Sequence, residues 1–176
     1  MSTSIPIKRV KSILDAATHT HILVLGDVML DHFIWGSVSR ISPEAPVPVV
    51  EFGRESYMPG GAANVARNLS ALKVTTELFS AVGEDGPGKQ LKRLLAEQRV
   101  GCDGLVALDS RPTSIKTRIV AHQQQVVRVD RESKQQLGST DVQTILNAVR
   151  KQMGRADAVI VGDYGKAWSR RRCSKA

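Results

Sequence analysis

Short apolar runs alternate with amphipathic segments along most of this chain, and no other feature restricts its fold as much. "HILVL", His21 to Leu25, is closed by Gly26 as a buried strand would be. "MPGGAANVARNLSALK", Met58 to Lys73, brings Ala62, Val65, Ala66, Leu69 and Leu72 to one helical face, and "TELFSAV", Thr76 to Val82, predicts a second strand. "GEDGPG" breaks the chain, after which "KQLKRLLAEQ" places Leu91, Leu94 and Leu95 together on a helix. Farther on, Thr140 with Gln143 predicts a capping box, and Val142, Ile145, Leu146, Val149 and Met153 follow at helical spacing. "DAVIVGDY", Asp157 to Tyr164, predicts another buried strand. Such alternation specifies an α/β fold whose mostly parallel sheet is flanked by helices on both faces.

Two regions depart from this rhythm. "HFIWGSV" with "PVPVVEF", and "TSIKTRIVA" with "QQVVRVDRE", are paired β-branched segments with no helix between the members of each pair. They predict strands of a small second sheet, a lid or a dimerisation surface, while ordinary hairpins at the edge of the main sheet fit the pattern equally well. Pro46 and Pro48 suit an edge strand, because proline cannot donate to a ladder.

Composition excludes several function classes. A chain of 176 residues with 41% hydrophobic content can bury one core. No apolar run approaches the roughly 20 residues of a membrane span, and the first residues lack the apolar block of a signal peptide, so the chain is expected to be cytoplasmic. Cys102 and Cys173 have no CxxC spacing, which argues against a disulfide or zinc framework. The net charge of +8 is concentrated in the tail. Lys166, Arg170, Arg171, Arg172 and Lys175 lie among the last eleven residues, which hold no acid, so 20 cations against 17 acids leave +3 for the rest. With aromatics at only 4%, the chain lacks the pattern of a single-strand nucleic-acid binder, and no nucleic-acid partner is expected; salt-dependent binding through "SRRRCSK" is the one such route left.

The motif chemistry centres on hydroxyl groups. Gly60 and Gly61 remove side chains from the approach to a helix N-terminus, and Asn64, one turn in, offers a donor and an acceptor. A tight turn at Gly-Gly with Asn64 as a mere cap explains the same letters. In "LGDVMLDHF" two acids follow a strand end: Asp27 reads as a turn or cap residue, and Asp31, deeper in the loop, as the better ligand for a polyol.

"GDVMLDHF", "SRISPEAPVPVV", "PGGAANVARNLSAL" and "VGDYGK" occur in that order, and together they resemble the ribokinase-like (PfkB) sugar kinases. The block "SRISPEAPVPVV" resembles in particular the bacterial D-glycero-beta-D-manno-heptose 7-phosphate kinases of lipopolysaccharide inner-core assembly, the kinase domain of a bifunctional heptose kinase and adenylyltransferase. The resemblance runs from about His21 to Lys166. It implies that Asp31, Gly60, Gly61 and Asn64 hold sugar hydroxyls, that Asp163 places another acid nearby, and that the β layer is a lid paired in a homodimer. It also implies phosphoryl transfer from ATP, with Mg2+, to the anomeric hydroxyl of a phosphorylated sugar. A sugar that already carries phosphate calls for cations: Lys116 and Arg118 alternate on a lid strand and can face one side, although a solvated strand face fits them as well, with Arg128 and Lys166 behind them.

Members of that family continue into nucleotide-binding strands and a "GAGD" loop whose aspartate is the catalytic base, whereas this sequence contains no GAGD. The expectation is therefore the N-terminal part of a ribokinase-like domain over residues 1–166, with lid strands near 32–52 and 112–130. Residues 167–176 form an unpatterned basic tail of frameshifted or truncated character. No catalytic residue is assigned, and the chain alone is expected to be inactive, with a non-catalytic sugar-phosphate-binding or dimerisation module as the alternative.

Overall fold

The computed structural model describes residues 5–165; Lys166 and the basic tail at 167–176 lie outside the described residues. A first helix α1 (Ile7–Ala17) leads into β1 (His21–Gly26), and β2 (Val28–Ile41) and β3 (Pro48–Gly61) follow before α2 (Ala62–Ala71). Next come β4 (Thr75–Gly83), α3 (Gly86–Glu97), β5 (Gly101–Leu108), β6 (Ile115–Ala121), β7 (Gln124–Arg131), α4 (Ser139–Gln152) and β8 (Ala158–Gly162).

Two four-stranded sheets divide the strands. The first has the order β5-β4-β1-β8 and is parallel throughout. Its inner strands β1 and β4 are covered on both faces: α2 and α3 pack Ala62, Ala63, Ala66, Leu91 and Leu95 over Val24, Leu78 and Val82, while α4 packs Ile145 and Val149 over Leu23, Leu25 and Phe79. That double coverage is the reason these strands read as unbroken apolar runs. The strand expected to be buried within Asp157 to Tyr164 is instead the edge strand β8, and Val159 and Val161 on it are exposed. The second sheet has the order β3-β2-β6-β7, so the predicted lid is a sheet of its own and not a set of hairpins on the first. β3 is an edge strand that begins at Pro48, in keeping with the proline rule.

Several local expectations are corrected. "GEDGPG" breaks the chain over a shorter stretch than expected, since only Glu84 and Asp85 separate β4 from α3. Asp85 caps α3 by accepting from Gly88 N, and Gly86, Pro87 and Gly88 form the first helical turn, because proline fits where a helix leaves its amides unpaired. No capping box forms at Thr140: α4 begins at Ser139 with Gly138 as its N-cap and no side-chain cap bond. Met153 is left exposed beyond the end of α4. Leu72 is also exposed, being the C-cap of α2, and Ala63 takes the buried place instead. Asp31 is not in a loop. Only Asp27 separates β1 from β2, so Asp31 lies inside a long strand that leaves the main sheet and becomes the lid.

Candidate functional site

The sheet order places β1 where the connections turn: β4 and β5 lie to one side of it and β8 to the other. Crevices at such a point, beyond the carboxyl ends of the strands, are where open α/β sheets bind ligands. Asp27 is built into that crest and is only 3% exposed. Its amide donates to Gly162 O at 3.0 Å, its carbonyl accepts from Ala62 N at 2.9 Å, and its Oδ2 accepts from Tyr164 N at 3.0 Å. One residue thus fastens together the ends of β1 and β8 and the start of α2. Asp27 is neither a turn residue nor a helix cap, as its letters suggested: it joins two strands, and its burial depends on strands far away in sequence.

Asp31 sits four residues farther along β2. Its Oδ1 lies 2.6 Å from Arg118 Nη1 on β6, and each side chain is about one-fifth exposed. A charge-assisted contact of this length is strong for a partly buried pair. The Arg118 guanidinium also lies over the Phe33 ring, 5.1 Å from its centroid. Lys116, two residues earlier on β6 and so on the same face, is 2.8 Å from Asp130 Oδ2, and Arg128 Nε is 2.9 Å from the other oxygen of that carboxylate. The hydrogen bond from Lys116 leads the effects that hold the Asp130 carboxyl below the usual carboxylate range.

The two glycines prove to be required by the chain itself. A Cβ on Gly60 would stand 2.5 Å from Asp31 Oδ2, and one on Gly61 would stand 2.5 Å from the Asp27 carbonyl, where φ is already +61°. Bare backbone at this place lets the carboxylate of Asp31 lie against β3 and lets α2 start beside Asp27. Asn64 is half-buried in the first turn of α2, and among the described residues its carboxamide has no hydrogen-bond partner. Asp163, exposed just beyond β8, accepts from Gly165 N at 2.7 Å. It follows Gly162, where an added Cβ would lie 3.4 Å from the Ala62 side chain, so Asp163 flanks the start of α2. Asp31, Gly60 and Arg118 are therefore in contact, Gly61 and Asn64 adjoin them along the chain, and Lys116 and Asp163 flank the group. A groove of about 560 Å³ lies at the opposite end of α2, among Arg67, Asn68, Glu97 and Arg99. Polar convergence places the candidate site at the crest and not in that groove.

The described residues match the model of the pfkB family carbohydrate kinases from residue 19 to residue 164. This chain belongs to the pfkB carbohydrate kinase family. Among its relatives are the bifunctional protein HldE of Sulfurimonas denitrificans, 43% identical over 145 residues, covering 82% of this chain and 30% of the relative. The bifunctional protein HldE of Hyphomonas neptunium is 40% identical over 168 residues, covering 96% of this chain and 35% of the relative. The chain thus spans about a third of the length of the curated relatives it matches. A putative ribokinase from Agrobacterium tumefaciens shares the ribokinase-like fold with a TM-score of 0.60 at 19% identity, over 81% of this chain and 44% of that one. An Arabidopsis thaliana ribokinase complexed with ribose and ATP matches with a TM-score of 0.54 at 17% identity, over 81% of this chain and 45% of that one.

Among the described residues, no set of three or more His, Cys, Asp or Glu side chains is grouped to hold a metal ion. No helix among them is long and apolar enough to cross a membrane. Sequence reasoning passed over Asp85 and Thr113, which are joined by two hydrogen bonds. An aspartate directly before Gly-Pro-Gly is an N-cap signal, and it could have located the first of them.

Proposed function

We propose that this chain carries the sugar-holding and lid portion of a kinase acting on heptose 7-phosphate, in the biosynthesis of ADP-heptose for the lipopolysaccharide core. The observation that carries this is the contact between Asp31 and Arg118 at the root of the lid, beside the glycine-opened start of α2, in a chain of a carbohydrate kinase family. Asp31 accepts hydrogen bonds from sugar hydroxyls, Asn64 donates and accepts one each, and Arg118 and Lys116 meet the phosphate the sugar already bears. The lid sheet covers the sugar and keeps water out. Asp163 supplies a further acid at the end of β8.

ATP, with Mg2+, supplies the phosphoryl group in kinases of this kind. Among the described residues no three His, Cys, Asp or Glu side chains are grouped to hold that ion. The 176 residues contain no GAGD loop, and by themselves they bind sugar phosphate without transferring phosphate at a useful rate. The second reading is a non-catalytic sugar-phosphate-binding or dimerisation module, for which the exposed Val127 and Val129 of β7 speak. The cytoplasm, where ATP is available, is the proposed compartment, and the lid is the proposed surface of a homodimer.

Titration calorimetry with heptose 7-phosphate, run beside an ATP-consumption assay on purified chain, tests both parts. Saturable heat without turnover is expected. Absence of heat would overturn the sugar-binding role, and turnover near one per second that Asp31→Ala abolishes would show a working kinase.

A further inference from the structure

We infer that Asp85 is the positioning residue that fixes the β6–β7 hairpin of the lid, and with it Lys116 and Arg118, on the α/β body. Its bearing on sugar rests on the function proposed above. Asp85 lies just past β4, at the carboxyl end of the main sheet, with extended backbone. Its Oδ1 accepts from Gly88 N at 2.9 Å, capping α3, and from Thr113 Oγ1 at 2.6 Å. Its Oδ2 accepts from Thr113 N at 3.0 Å and lies 3.5 Å from Arg131 Nη2. Thr113 precedes β6 by two residues and Arg131 closes β7 opposite Ile115, so one carboxylate holds both ends of the hairpin. A cap needs only one side-chain oxygen, which serine supplies. The remaining bonds of Asp85 go to the lid.

The surroundings are built for this carboxylate. Thr113 is 2% exposed, and its hydroxyl also accepts from Gly83 N at 2.8 Å. A Cβ on Gly83 would stand 2.6 Å from Thr113 N, and one on Gly88 would stand 2.9 Å from Thr113 Oγ1, so both glycines make way for the Thr113 contact. The next residue, Ser114, accepts from Leu30 N at 2.8 Å and carries the anchorage into β2 one residue before Asp31. Burial raises the Asp85 pKa, but the bonds from the Thr113 hydroxyl and amide and from Gly88, with the Arg131 charge, outweigh it and hold the group below the usual carboxylate range, that is, ionised.

The consequence for the site follows from leverage. Arg118 lies five residues beyond Thr113, about 16 Å along an extended strand, so a tilt of about 10° at the root moves its Cα by roughly 3 Å. A displacement of that size breaks the 2.6 Å contact with Asp31.

The experiment is hydrogen exchange read by mass spectrometry on the full chain, comparing Asp85→Ser, Thr113→Val and Thr113→Ser. Asp85→Ser keeps a cap oxygen for α3 but loses the charge and the second oxygen. Exchange over residues 115–131 should rise about tenfold in Asp85→Ser and in Thr113→Val, with β1 and β4 unchanged, while Thr113→Ser, which keeps the hydroxyl, stays at the level of the unaltered chain. In calorimetry the first two variants should bind heptose 7-phosphate about tenfold more weakly, and Thr113→Ser should bind normally. Exchange that is unchanged over 115–131, or that rises equally throughout the chain, overturns the inference. If Asp85→Ser does not fold, the two Thr113 variants decide it. Absence of sugar-phosphate binding by the unaltered chain overturns the proposed function and the role of Asp85 toward sugar, while the exchange result still decides its role in holding the lid.

Discussion

Arg118 Nη1 lies 2.6 Å from Asp31 Oδ1, joining β6 to β2 through side chains as well as through the parallel pairing of the two strands. Asp31 has two tasks if the proposed function holds: it restrains the lid arginine and it accepts hydrogen bonds from sugar. An incoming sugar phosphate then competes with Asp31 for the guanidinium. Arg118→Gln and Asp31→Asn should each weaken binding of heptose 7-phosphate by roughly 1.5–3 kcal/mol, the range for hydrogen bonds to charged groups. The double variant should lose less than the sum, because the two groups share one contact. A calorimetric double-mutant cycle measures this, and strictly additive losses would show the two residues acting independently.

Asn64→Ala should weaken sugar-phosphate binding by about 1–3 kcal/mol, since a partner hydroxyl is left without its hydrogen bond. Among the described residues the Asn64 carboxamide has no hydrogen-bond partner, so the same variant should unfold at nearly the denaturant concentration of the unaltered chain. Unchanged calorimetric affinity would remove Asn64 from the site.

Gly61→Ala tests the backbone requirement. At φ +61° and ψ −135°, with the Asp27 carbonyl 2.5 Å from any added Cβ, alanine should cost roughly 1–3 kcal/mol from strain alone. Urea unfolding monitored by circular dichroism gives the value, and a loss below about 0.5 kcal/mol would mean that the start of α2 relaxes freely.

Asp85 sets the expected acid response. Its folded pKa is depressed, so it contributes stability above the ordinary carboxylate pKa, and that contribution is lost as pH falls from the ordinary value through the folded one. The urea midpoints of the unaltered chain and Asp85→Asn should therefore differ most near pH 6, and the gap should begin to narrow as pH falls below about 4. A gap that stays constant down to pH 3 would assign the effect to shape and not to charge.

The lid has an outward apolar edge. Val127 and Val129 on β7 are 45% and 55% exposed, and they stand opposite Ile119 and Thr117 on β6. Surface of this kind supports a lid-mediated homodimer. Sedimentation should show a dimer at tens of micromolar, and Val127→Glu with Val129→Glu should convert it to monomer. A chain that is monomeric without these changes would rule the lid out as the dimer surface.

Periodicity alone determined the layers of this protein. Apolar runs such as "HILVL" and "TELFSAV" can be satisfied only when both faces are covered, and the spacing of Leu91 and Leu95 assigns a covering face to α3. The paired β-branched segments likewise marked the lid strands, though not whether they formed a separate sheet. Tertiary structure alone decided the rest, because it depends on residues brought together across 28 to 137 positions of sequence. The burial of Asp27 comes from Tyr164 and Gly162, the pairing of Asp31 from Arg118, and the grip of Asp85 from Thr113. Gly60 shows the difference most directly: the letters suggested backbone bared for a ligand, while the folded chain requires the glycine because a neighbouring strand sets the Asp31 carboxylate where a Cβ would stand. A period reports only which face a residue shares with its near neighbours. The distance between two strands' side chains is set by register, and register is fixed only when the whole sheet closes.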